Sequence, residues 1–178
     1  MAEKMTGTKK VEGGIEKITL KKYNADGVTL GADTWTLTDS VQDTTSITQE
    51  EGDVTEILNE KGGIIKSISK RGTRTFTTNS GDIQEGLLVD LMGYTKAADG
   101  ELVAPSGNPE IYVQATLEFQ GGNQVICHKI KLNPSMTLES LSSGIAQAVL
   151  TGKLEEVDVS TNKDGSDMRE FGFKNAAE

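Results

Sequence analysis

Cys127 and His128 stand side by side, and a thiol next to an imidazole is the pair used in nucleophilic catalysis when the imidazole takes the thiol proton. Their setting works against that use. The residues around them alternate as in a strand, and neighbours on a strand leave opposite faces, out of reach of a shared hydrogen bond. His128 is the single histidine, which excludes a zinc site built from several histidines and leaves it as a residue packed on the apolar face of its strand. Ser160, Asn162, Asp164 and Gly165 match the first half of a calcium loop, but the twelfth position, where such a loop needs a carboxylate, holds Phe171. A plain turn is the reading there. Gly62-Gly63 sits between two strand-like segments and opens no helix, so it makes no phosphate loop. The chain is therefore read as non-catalytic, with no cofactor and no metal site expected.

The elements that carry these residues are mostly strands. Ile111, Val113, Ala115, Leu117 and Phe119 alternate with Tyr112, Gln114, Thr116, Glu118 and Gln120, which predicts a half-buried strand. Gly121-Gly122 turns the chain into 123–132, where Ile126, His128, Ile130 and Leu132 are assigned to one face and Val125, Cys127, Lys129 and Lys131 to the other. An earlier hairpin is predicted from Ile15–Tyr23 and 28–37, joined through Asn24-Ala25-Asp26-Gly27. Asp82 with Glu85 resembles a capping box, and Ile83, Leu87, Leu88 and Leu91 form a stripe before Gly93, so a short α-helix is predicted over 82–92. Residues 96–109 read as a loop. The segment 137–150 suits either helix or strand, with strand favoured after Gly144. A turn over 161–168 and a short last strand at 169–173 complete the pattern.

Between Asp39 and Glu60 seven acids (Asp39, Asp43, Glu50, Glu51, Asp53, Glu56 and Glu60) occur without a basic residue, and Lys61, Lys66, Lys70, Arg71 and Arg74 follow without an acid. That switch, with Gly62-Gly63 at the turn, predicts an acidic strand folded onto a basic one, with charge pairs across the ribbon. Its alternative is a solvated ribbon whose charges contribute little.

The bulk properties narrow the partners. A chain of 178 residues fits one domain, and a net charge of -9 from 27 acids and 18 bases argues against a protein that grips phosphate. Four Phe, three Tyr and one Trp leave few platforms for stacking bases. One cysteine permits no intrachain disulfide. No apolar run approaches membrane-spanning length, so no membrane partner is expected, and synthesis and folding are expected in the cytoplasm.

The order of a flexible arm (1–14), a hairpin, a charged ribbon (39–78), one helix (82–92) and terminal hairpins from Ile111 resembles the major tail tube proteins of long-tailed bacteriophages. The resemblance implies a mainly β fold, an antiparallel sandwich or half-barrel spanning 15–173 with a flexible end at 174–178. It implies a structural, self-assembling subunit of the virion tail, made in the bacterial host, that closes into hexameric rings stacked around a lumen. Its partners would be copies of itself, other tail proteins and DNA that passes without specific binding. On this reading Glu56, Glu60, Lys66, Lys70 and Arg71 are candidates for contacts between rings or subunits. Gln114 and Glu118 are candidates for a lumen wall whose acidity repels phosphate. A tube of a secretion machine shares the same ring logic, and a β-sandwich adhesion or carbohydrate-binding module is the alternative from another class.

Overall fold

The structure is a computed structural model and describes residues 13–37, 44–81, 83–107, 109–137, 147–159 and 168–174. Most of the expected N-terminal arm, Asp39, Asp43, Asp82, the calcium-like residues Ser160 to Gly165 and the residues after Lys174 lie outside the described residues. β1 (Ile15–Tyr23) and β2 (Leu30–Leu37) form the predicted antiparallel hairpin. Asp26 shapes its turn, with Oδ1 accepting from the Val28 and Thr29 amides at 2.9 and 3.0 Å. β3 (Ser46–Gln49) leads into β4 (Val54–Leu58) and β5 (Ile64–Ser69), and β6 (Arg74–Ser80) returns antiparallel to β3. The stretch read as a loop holds a small pairing of β7 (Thr95–Lys96) with β8 (Leu102–Val103). β9 (Ile111–Phe119), β10 (Gln124–Thr137) and β11 (Gln147–Leu154) follow, then β12 (Val157–Asp158), β13 (Met168–Arg169) and β14 (Phe171–Lys174).

The architecture is mainly β and antiparallel, as predicted. One eight-stranded sheet in the order β2-β1-β9-β10-β11-β6-β3 carries the core, and β14 pairs with β10 beyond the end of β11. The expected sandwich or half-barrel takes the form of this single large sheet, with the residues after β6 laid on its apolar face. Ile18 and Leu20 of β1, Phe76 of β6, Val113 of β9, Ile130 of β10 and Leu150 of β11 are fully buried in one cluster. Removing side chains of that size from water is the main favourable contribution to such a fold, at about 25 cal/mol per Å² of apolar surface.

Two expectations are corrected. The α-helix over 82–92 is shorter and less regular than predicted: residues 85–92 are helical, with a π-helical centre at Leu87–Leu91 and the Met92 amide donating to the carbonyls of Leu87 and Leu88. The apolar stripe still does its work, because Leu87, Leu88, Leu91 and Met92 are buried against the sheet. Gly93 ends the turn at φ +74°, and Lys22 Nζ of β1 donates to the Asp90 carbonyl at 2.9 Å. The face assignment in β10 is also corrected. Cys127 pairs with Ala115 and Ile130 with Val113, so three steps on β10 match two on β9 and a bulge falls at His128–Lys129. The strand therefore buries Val125 and Cys127 before the bulge and Ile130 and Leu132 after it. Ile126 and His128 lie off the core face.

Candidate functional site

The ribbon is built at its tip by Asn59 and Gly62. Asn59 Oδ1 accepts from the amides of Lys61 and Gly63 at 2.9 and 2.8 Å, and Gly62 supplies the positive φ of +78° that the turn requires. Among the described residues β4 and β5 pair only with each other, and every residue of both strands is exposed. Six large aliphatic side chains stand in solvent there, from Ile68 at 40% exposure to Ile65 at 66%.

The predicted charge pairing across the ribbon does not form. Glu56 lies opposite Ser67, and Lys66 lies opposite Ile57 on the other face, so the register separates the acids from the bases. Among the described residues no ion pair engages Glu56, Glu60, Lys66 or Lys70. Arg71 alone of the five nominated residues is tied down, and within the subunit. Its Nη2 donates to Glu156 Oε1 at 2.9 Å and also to Glu170 Oε1. Arg74 Nη1 reaches Glu170 Oε2 at 2.5 Å, its guanidinium lies 5.0 Å over the Phe171 ring, and its Nε donates to Gln49. Glu170, between β13 and β14, thus clamps the base of the ribbon. Beside the clamp the two chains cross closely. A Cβ on Gly72 would stand 1.9 Å from the Glu50 carbonyl oxygen, and one on Gly52 1.9 Å from that of Lys70.

The second surface is the sheet face away from the core. Gln114 and Glu118 lie on it, but the face around them is not acidic. Lys17 Nζ pairs with Glu118 Oε2 at 2.9 Å, which raises the lysine pKa through the hydrogen bond and charge of the carboxylate. Strand register then places Thr19 beside Thr116 and Lys21 beside Gln114. Sequence reading took Glu118 alone as the sign of that face. Its lysines come from strands far apart in the chain, and only topology shows them as neighbours.

Cys127 and His128 are kept apart, as expected, although the faces are exchanged. Burial pushes the Cys127 thiol up to about 12, so it is protonated at neutral pH and is no nucleophile. The His128 ring lies beside Gly172, where an added Cβ would sit 3.9 Å from Nε2, and its carbonyl accepts from the Tyr23 hydroxyl at 2.7 Å. No group of three His, Cys, Asp or Glu side chains that would suit a metal occurs among the described residues. Searches against protein-family models and against curated proteins match nothing.

Proposed function

We propose that this chain is a structural subunit that assembles with copies of itself, resembling a tail tube protein whose hexameric rings stack around a DNA-conducting lumen. The observation that carries the reading is the ribbon: six branched aliphatic side chains that the subunit itself leaves in solvent. A two-stranded ribbon is marginal in water, and an exposed apolar cluster of this kind marks an interaction surface. A neighbouring subunit would bury it. The outer edges at β2 and β3 have no strand partner among the described residues and favour the same outcome, since pairing with a neighbour's edge would satisfy them and a head-to-tail contact closes into rings.

On this reading Glu56, Glu60, Lys66 and Lys70 contact the next ring or subunit, while Arg71 holds the ribbon's base. Gln114 and Glu118 face the lumen. The test combines light scattering over a wide concentration range with electron microscopy of concentrated protein. Rings or tubes that vanish in an Ile57→Glu, Ile65→Glu variant of unchanged circular dichroism are expected. A strictly monomeric wild type at every concentration, with its ribbon amides as well protected from exchange as those of β9, would sink the proposal.

A further inference from the structure

We infer that the outer face of the large sheet carries a lysine band that makes loose, sequence-independent contact with the phosphate backbone of duplex DNA. The inference rests on the tube reading for its partner, though not for the band itself. Lys21 of β1 pairs with Gln114 of β9, and Lys131 of β10 pairs with Tyr112 of β9 on one side and Lys153 of β11 on the other. Residues paired directly across antiparallel strands share a face, so these three lysines lie on one side of the sheet. Four strands at about 4.8 Å spacing put the ends of the band roughly 14 Å apart.

A fourth cation stands two residues before Lys131 on β10. Lys129 Nζ lies 4.6 Å over the Tyr112 ring, and Lys131 Nζ lies 5.8 Å from the same ring. Tyr112 thus holds two ammonium groups side by side on its face. Glu155 at 3.6 Å from Lys129 and Glu110 at 2.6 Å from Lys131 compensate those two charges. Lys21 and Lys153 are exposed and engage no carboxylate among the described residues. Two uncompensated lysines flank a partly neutralised centre, which suits weak contact better than a grip. In a chain of net charge -9 this placement is against the overall balance. The rest of the molecule limits affinity, while the band gives a polyanion one face to approach.

Neutralising a phosphate releases a counterion, so each lysine that makes contact steepens the fall of affinity with salt. The test is fluorescence anisotropy of a labelled duplex titrated with the full chain at several salt concentrations. Weak binding that salt abolishes is expected. Lys21→Gln with Lys153→Gln should weaken binding at low salt by about tenfold or more and lower the slope of log affinity against log salt by about two. Lys61→Gln with Lys96→Gln makes the same change of charge outside the band and should leave the slope unchanged. No binding by the wild type at the lowest salt, an equal effect of that control variant, or equal competition by polyglutamate would each overturn the band. Light scattering on the same samples separates the two readings. Rings without DNA binding remove the band alone, whereas DNA binding by a chain that never assembles removes the tube reading and leaves the band.

Discussion

Replacing Glu170 by Gln should loosen the base of the ribbon, and the size of the effect follows from how unequally its two arginines are buried. The Glu170 side chain is 11% exposed, that of Arg74 22% and that of Arg71 46%. A hydrogen bond to a charged group in a shielded place contributes about 1.5 to 3 kcal/mol, and an exposed ion pair about 0 to 1. Gln keeps the shape and one acceptor but loses the charge, so the cost of Glu170→Gln is set near the lower end, about 1.5 kcal/mol. Arg74 should account for most of it. Urea denaturation of a double-mutant cycle measures this directly, because the cycle isolates the pair from whatever else each substitution disturbs. Coupling of Glu170 with Arg74 is expected at about 1 to 2 kcal/mol and insensitive to salt, and coupling with Arg71 below about 1 kcal/mol and screened away by it. The amides of Glu50 and Lys70, which donate to Thr73 and Asp53 across the neck, should exchange faster in the variant. Coupling to Arg71 equal to that with Arg74, or none to either, would refute the argument from burial.

Two further outcomes concern the core. The Cys127 thiol is raised from 9.0 to about 12 by burial, so the unfolded chain loses its thiol proton first; this contribution to stability is complete below about pH 9 and falls, at about 1.4 kcal/mol per pH unit, as pH rises towards 12. Cys127→Ala should remove that slope, and urea midpoints that fall in parallel for both proteins at alkaline pH would count against it. Gly152→Ala would put a Cβ 2.4 Å from Ile130 Cγ2 and 2.6 Å from the Lys131 carbonyl oxygen. A loss of about 1 to 3 kcal/mol is expected from overpacking, and an unchanged melting temperature would show that β10 and β11 part freely.

Much of the fold was legible in the sequence wherever a local pattern had one solution. The alternation in β9 left a single way to bury Ile111, Val113, Ala115 and Leu117 and to pack Phe119 beside them, and Asn24 to Gly27 and Gly62-Gly63 turned the chain because those residue types favour turns. The helix was overread. Its stripe correctly marked Leu87, Leu88 and Leu91 as core, but a stripe does not show how the backbone winds, and the helical residues 85–92 take a π-helical centre at Leu87–Leu91. The β10 bulge was hidden for a more specific reason. Ile126, Ile130 and Leu132 fall in phase, so the strand reads as straight with His128 on its buried face. A straight strand would bury those three with an imidazole and leave Val125 and Cys127 in water. The bulge instead buries Val125, Cys127, Ile130 and Leu132 and leaves His128 and Lys129 outside, which exchanges one buried polar ring for an additional apolar side chain. That choice depends on the register with β9 and cannot be made from β10 alone. The lysine band has the same origin. Lys21, Lys129, Lys131 and Lys153 are scattered through the chain, and the overall negative charge conceals them. They become one feature only when β1, β9, β10 and β11 are laid side by side, with Lys129 two residues before Lys131 on the same face of β10.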